Sequence, residues 1–347
     1  MRRFSKEWML VGVFIFLFAL MSILSPDKFL SLNNLQSMAF QLPEFGLLSL
    51  AMMVVIVTGG INLSLTSTAA LSGIMGAFAL SIMNSAGFDV GLTIAVAIVV
   101  SVLTSLLCGL INGSIISYIG VSPILVTLGT MTLFEGISLN FTKGGAISGF
   151  PEQYYWFGNG TILQIPVPMI IFIVFIVLTY IMLEHTPWGL CVYMSGCNPL
   201  ATMYSGINVK KVLLKVYLFS ALLTSVSSVI MTSRYNSAKV DYGSSYLLQS
   251  ITAVVLGGTN IAGGYGKVMG TVTATLILQV LSSGLNLLGV KRYIVDVIMG
   301  AILILILAIN FINSNIKFKT KNKSHNSDSN SNLIVSLLET LKIAKKG

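Results

Sequence analysis

Ten apolar stretches with almost no charge inside them dictate what this chain is able to fold into. They run over residues 8–24, 45–58, 65–83, 90–111, 124–141, 163–183, 212–232, 246–261, 268–290 and 293–312. A helix crossing the hydrocarbon core needs ~20 largely apolar residues. Together the stretches cover 191 residues but hold only three of the 31 charged side chains, Glu135, Lys215 and Asp296. A soluble surface takes charge at roughly a quarter of its residues. With 9% charged and 55% hydrophobic residues, this chain has nothing to build one from. The same figures exclude collagen, disorder and a disulfide scaffold. An all-α, polytopic membrane protein with about ten transmembrane helices is expected, because only internally hydrogen-bonded segments cross lipid. Basic residues precede the first stretch as in a signal peptide, but nine more spans follow, so an uncleaved first helix is expected.

The net charge of +9 raises the question of nucleic acid. Placement answers it. The basic residues do not interleave with aromatics along a groove. They gather at Arg2, Arg3 and Lys6, at Lys210, Lys211 and Lys215, and in a tail from Lys317 to Lys346, where the phosphates of membrane lipid are the natural partner. With the N-terminus inside, fourteen of the twenty Lys and Arg fall on the cytoplasmic side and six outside. Both termini are therefore expected in the cytoplasm of a cell bounded by this inner membrane. Cys108, Cys191 and Cys197 have no histidine at ligand spacing and read as packing residues, with no metal and no cofactor implied.

The expected organisation is a transmembrane permease domain over 1–316 and a cytoplasmic basic tail over 317–347. In the tail, 317–332 is polar and expected to be disordered. Residues 333–346 place apolar side chains at helical spacing, either as a frayed end or as a helix lying on the inner leaflet.

Most connections are short, but 184–211 is a long loop on the expected inner face. Within it Asn198 is a good N-cap, Pro199 suits the first helical position, and Gly206 supplies a stop. The result is a helix over 199–205, too short to stand alone in water. It must dock, either on its own bundle or on a partner.

Two segments share a pattern, Thr58-Gly59-Gly60-Ile61-Asn62-Leu63 and Leu256-Gly257-Gly258-Thr259-Asn260-Ile261. Each ends an apolar stretch that reads as unusually short. Gly-Gly permits a break in a helix, and paired broken helices mark the substrate path in many transporters; each glycine taken alone is better explained by close helix packing. A weaker pair is Gly120-Val121 and Gly289-Val290, but its offset differs from that of the first pair, so no internal repeat is assigned.

Asn62, Ser64, Ser67, Asn112, Thr127, Thr130, Gln249, Asn260 and Asn286 are polar positions in or beside the spans. Hydroxyls and amides suit a neutral, hydroxyl-rich solute, whereas ion-coupled carriers place acids or histidines near the midplane. Glu135 and Asp296 read as rim residues. His185 and His325 lie outside the spans, no nucleophile–base pair is present, and no phosphate-binding loop occurs. The chain is thus expected not to be an enzyme, and an intramembrane hydrolase is disfavoured. An ion-coupled secondary carrier and a permease for branched-chain amino acids are the rival transport readings.

Four stretches now carry a resemblance: TGGINLSLTSTAALSG (58–73), VSPILVTLGTMTLFEG (121–136), WGLCVYMSGCNPLATMYSGINVKKV (188–212) and ITAVVLGGTNIAGGYGKVMGTV (251–272). With GLNLLGV (284–290), the chain resembles, over nearly its whole length, the permeases of ABC importers for ribose, galactose and related small sugars. The stretches FEGISLN, 149–172 and 237–264 are similar to the autoinducer-2 branch of that family. The resemblance implies an ABC importer permease fold with breaks at the Gly-Gly motifs. It implies a separate ABC ATPase, an extracytoplasmic solute-binding protein, and a second permease, identical or not. It also implies that the loop helix is a coupling helix to the ATPase, carried here by Gly196, Asn198, Pro199, Ala201, Ser205, Gly206 and Ile207. Asn198 and Gly206 would be its caps, and Ala201 and Ile207 its contact surface. Translocation-path candidates are Gly59, Gly60, Asn62, Ser64, Asn112, Thr127, Gly257, Gly258, Asn260 and Asn286. Departures concentrate on charge: Asn62, Glu135, Leu190, Leu247 and Gln249 stand where many relatives carry other residues.

Overall fold

The computed structural model describes residues 4–291, 293–306 and 308. Two compact units divide the chain, Met1–Gly300 and Ala301–Gly347. Of the second, 301–306 and 308 are described and helical, and the tail expected over 317–347 lies outside the described residues.

The first unit opens with α1 (Phe4–Leu24), the single turn α2 (Pro26–Phe29) and α3 (Leu32–Ile56). Next come α4 (Leu65–Ser85) and α5 (Val90–Ser114), which runs into a π-helical turn at Ile115–Ile119 and stops at Gly120 in the left-handed region. After α6 (Pro123–Thr142), a long connection carries β1 (Ile147–Ser148), α7 (Glu152–Asn159), β2 (Thr161–Ile162) and β3 (Ile165–Pro166). Then follow α8 (Val167–Glu184), α9 (Pro187–Cys197), α10 (Pro199–Tyr204), α11 (Val209–Tyr235), β4 (Ser237–Ala238), α12 (Tyr246–Leu256), α13 (Val268–Leu287) and α14 (Tyr293–Ile306). The strands are two antiparallel pairs: Ile147 faces Ala238 in one, and Thr161 faces Pro166 in the other.

Seven of the described helices are long and apolar enough to cross a membrane, and three shorter apolar helices accompany them, Trp8–Leu24, Tyr246–Leu256 and Tyr293–Ile306. The second apolar stretch departs from expectation: over 45–58 it reads as short, yet α3 is 25 residues long. Its first three turns carry Asn33, Asn34, Gln36, Ser37 and Gln41, which hide a helix from an apolar window, and Pro43 is tolerated inside it. That proline leaves only the Ala39 carbonyl without its helical donor.

The second half of α3 is apolar on all sides, as a fully buried helix must be. Residues 42–57 are buried without exception, against α8, α11, α12 and α13. Gly46 lets the Phe172 ring of α8 come close to α3, since a Cβ there would overlap the ring. Small residues set the spacing between α4, α5 and α11. The hydroxyls of Ser101, Ser105 and Ser228 donate across helices to the carbonyls of Ser72, Ala221 and Ala69 at 3.0, 2.7 and 2.6 Å. Such contacts hold helices together where lipid supplies no hydrophobic drive between them.

Candidate functional site

The loop after α8 builds the site from two caps. Asn198 accepts a hydrogen bond from Ala201 N at 3.0 Å through its side-chain oxygen, opening α10. After the six residues of the helix the chain closes in a Schellman motif: Gly206 N donates to Met203 O at 3.0 Å and Ile207 N to Thr202 O at 3.4 Å. Gly206 sits at φ +80°, where only glycine is free of strain. The Ser205 hydroxyl donates back to Ala201 O at 3.0 Å. α10 ends one residue earlier than expected, at Tyr204.

One face of α10 docks on the bundle through Thr202, which is buried. The other is open: Leu200 is 64% exposed, Met203 53% and Tyr204 85%. Ala201 and Pro199 are exposed beside them. Ile207, expected to offer contact surface, is partly buried and packs against the main hydrophobic core. The spacing of 200, 203 and 204 around a capped helix is the signal from which those three residues could have been read.

Just before α10, three distant stretches of backbone meet. Gly264 N, in the loop between α12 and α13, donates to Val57 O at the end of α3 at 2.8 Å. Gly196, in the last turn of α9, lies against both: a Cβ there would overlap Val57 O and Gly264 N. A Cβ on Gly263 would fall 2.6 Å from Gly59 N, and one on Gly264 2.6 Å from Cys197 Sγ. Both Gly263 and Gly264 have positive φ, +87° and +78°, and so does Gly59 at +82°. Two bonds fasten α9 to the same loop: Tyr193 donates to Gly266 O at 2.9 Å and Cys197 to Gly264 O at 3.5 Å. Burial, with Glu184 and Tyr265 nearby, pushes the Tyr193 phenol up to about 12, so it stays a donor at physiological pH. A cleft of about 440 Å³ lined by Glu184, Leu190, Tyr193, Tyr265 and Lys267 opens beside this junction.

Four of the polar path candidates form one hydrogen-bonded cluster around the chain between α3 and α4. Asn62 Oδ1 accepts from Ser64 N at 3.2 Å and from Ser64 Oγ at 2.8 Å. Asn112 Nδ2 donates to Ser64 Oγ at 2.8 Å, and Thr130 Oγ1 donates to Asn112 Oδ1 at 2.7 Å. Thr127 accepts from Leu63 N at 3.1 Å and faces Ile61 O at 3.1 Å. All five side chains are buried. In this conformation they satisfy one another and the irregular backbone, which at a non-helical segment among helices would otherwise hold orphaned peptide groups. Gly60 lies close to Tyr217, whose hydroxyl a Cβ would approach to 3.1 Å.

The remaining candidates lie apart. Gly257 touches the backbone of Gly270, Gly258 is open at φ +89°, and Asn260 is exposed, accepting from Ala262 N at 3.2 Å. Asn286 is exposed in the last turn of α13. Sequence reasoning missed a buried ion pair at the opposite end of α11: Arg234 Nε lies 2.6 Å from Glu44 Oε1, with side chains 15% and 0% exposed. Tyr235 and Tyr246 donate to Glu44 Oε2 at 3.2 and 3.3 Å. Among the described residues no group of three or more His, Cys, Asp and Glu is placed to hold a metal.

Long apolar helices, two irregular glycine loops that meet, and a capped short helix left open on one face define a multi-pass membrane transport protein. The chain belongs to the family described as branched-chain amino acid transport system / permease component, whose sequence model matches residues 34–307. It is 40% identical over 297 residues to the ribose import permease protein RbsC of Bacillus subtilis, covering 85% of this chain and 89% of that one. To the autoinducer 2 import system permease protein LsrD of Yersinia enterocolitica it is 36% identical over 311 residues, covering 88% and 91%. The RbsC protein of Escherichia coli K12 is 36% identical over 312 residues, covering 88% and 94%. The resemblance read from the sequence is thereby borne out. No solved structure matches the chain.

Proposed function

We propose that this chain is the membrane-spanning permease subunit of an ATP-driven ABC importer for a small sugar or sugar-like solute, of the ribose or autoinducer-2 kind. It crosses a bacterial inner membrane about ten times with both termini in the cytoplasm, the three shorter apolar helices completing the seven long ones. A separate ATPase hydrolyses ATP, a second permease, identical or not, completes the path, and an extracytoplasmic binding protein delivers the solute.

One observation carries the reading: the open apolar face of α10 is joined at Gly196 to the loops that end α3 and precede α13. A partner gripping Leu200, Met203 and Tyr204 would move Gly196, and with it Val57 and Gly264. ATP binding in that partner then biases the chain between inward-open and outward-open states through contacts that differ between them. The glycine breaks and the Asn62–Ser64–Asn112–Thr127 cluster are the parts that would rearrange along the path, with Gly59, Gly60, Gly257, Gly258, Asn260 and Asn286. The similar ribose and autoinducer-2 permeases favour this over a branched-chain amino acid permease. Against an ion-coupled carrier stands Glu44, the one acid buried among the described residues, which already faces Arg234.

The test is a co-purification. Extracted in mild detergent from its native host, the tagged chain brings down a stoichiometric ATPase, identified by mass spectrometry. A chain that purifies alone and drives uptake into liposomes without ATP would refute the importer reading.

A further inference from the structure

The end of the bundle away from α10 carries a polar cleft that none of the site residues above explains. α11 rises from Val209 beside α10 to Arg234, about 38 Å away at 1.5 Å per residue. There Asn33, Gln36, Ser37 and Phe40 of α3 face Asn159, Arg234 and Tyr235 across about 470 Å³. That is within the few hundred Å³ typical of small-molecule sites. The α3 residues follow helical spacing, so they share one stripe of the helix. A stripe of amides turned to lipid would be costly, and this one borders the cleft.

α3 sorts its polar residues by face. Asn34 and Gln41 are spoken for by α13, through Ser283 Oγ at 2.9 Å and Gln279 Nε2 at 3.4 Å. Asn33 and Gln36, by contrast, make no side-chain hydrogen bond to any described residue. Arg234 is held in place by Glu44 and donates through Nη2 to Tyr235 at 2.9 Å. Its charge is thus matched inside the protein, and the cleft presents amide and guanidinium hydrogen-bonding groups with little net field. That chemistry suits a neutral polyol and not a phosphorylated or carboxylated one. The Phe40 ring supplies an apolar wall for the C–H face of a sugar.

We propose that this cleft is the entry site at which the permease receives a neutral polyhydroxylated solute, Asn33, Gln36 and Arg234 taking its hydroxyls and Phe40 its apolar face. The proposal rests on the importer reading for the direction of travel, since the cleft opens on the side opposite the α10 face offered to the ATPase. It adds a named binding site to that reading.

The test places a single cysteine, Gln36→Cys, in a chain carrying Cys108→Ala, Cys191→Ala and Cys197→Ser. The complete importer in right-side-out vesicles is treated with a membrane-impermeant maleimide. Labelling is timed alone and with D-ribose, D-galactose, glycerol or ribose 5-phosphate. The expected result is labelling from outside, slowed at least about threefold by a saturating neutral sugar, as mass action requires of an occupied site, and unaffected by the phosphate ester. Adding Phe40→Ala should remove the protection while leaving labelling intact. Protection by none of the neutral compounds, or equal protection by the phosphate ester, overturns the proposal. Uptake of the same sugars is measured in parallel: uptake without protection refutes the cleft alone, whereas protection without uptake keeps the cleft and refutes the importer reading.

Discussion

Gly264 N donates to Val57 O at 2.8 Å, tying the loop before α13 to the end of the buried helix α3. Gly196 sits against that bond with no room for a side chain. Because both contacts at Gly196 are backbone atoms, no rotamer change relieves a clash there. Gly196→Ala should therefore behave as overpacking at the tight end of the range, costing about 1–3 kcal/mol. The expected phenotype is a lowered midpoint of thermal unfolding in detergent together with impaired uptake. Gly12→Ala, where nothing lies within 4 Å, is the control and should change neither.

Asn198 supplies the N-cap that α10 lacks any other means to replace. Asn198→Ala should weaken the helix by about 1 kcal/mol, and Asn198→Asp should retain most of it. Because α10 has only six residues, that loss is large relative to its own stability. The measurement is ATP-driven uptake per amount of assembled complex, reduced in the alanine variant and near normal in the aspartate one. Equal uptake by all three would remove the cap from the account.

The short helix was legible in the sequence because its determinants are local: a cap, a proline and a glycine stop within nine residues. The glycine junction was not, because it joins residues 57, 196 and 264 through backbone contacts that leave no mark on residue type beyond the glycines themselves. The polar cluster fell between these cases. Asn62, Ser64, Asn112 and Thr127 stood out as polar residues near spans, yet only the fold reveals that the first three bond to one another and that Thr127 takes up the backbone beside them. The first half of α3 stayed hidden for a different reason. Its amides lower the hydropathy that marks a span, so the apolar reading began at residue 45, one position after Glu44. An acid and a base each at the edge of a span on the same expected side, Glu44 and Arg234, were the available hint of their pairing.

That ion pair gives a sharp stability prediction. Removing one partner of a buried pair leaves an uncompensated charge and costs about 3–5 kcal/mol, whereas replacing both by groups of similar volume is often neutral. Arg234→Met should thus strongly lower the unfolding midpoint. The double variant Glu44→Gln with Arg234→Met should recover most of it, since Tyr235 and Tyr246 retain an acceptor at position 44. Additive losses in the double variant would contradict a direct pairing.

Asn112 bridges Ser64 and Thr130 in the buried cluster. Asn112→Ala removes one partner from each hydroxyl, while Ser64 still donates to Asn62 and Thr130 to Val126 O, so the cost is that of two lost hydrogen bonds at about 1 kcal/mol each. A fall in thermal stability is expected. Asn112→Ala with wild-type stability would show that the cluster is not needed to hold the segment between α3 and α4.

The central claim is that movement of α10 is what converts ATP hydrolysis into transport, and Gly206 tests it most directly. Its φ of +80° is closed to proline, whose ring holds φ near −65°. Nothing lies within 4 Å of a Cβ at that position, so the damage falls on the turn and not on packing. ATP hydrolysis and solute uptake are measured together in proteoliposomes containing the complete importer with Gly206→Pro. The account predicts hydrolysis that continues while uptake falls away, in a chain that still inserts and assembles. Uptake at the wild-type ratio to hydrolysis would contradict it.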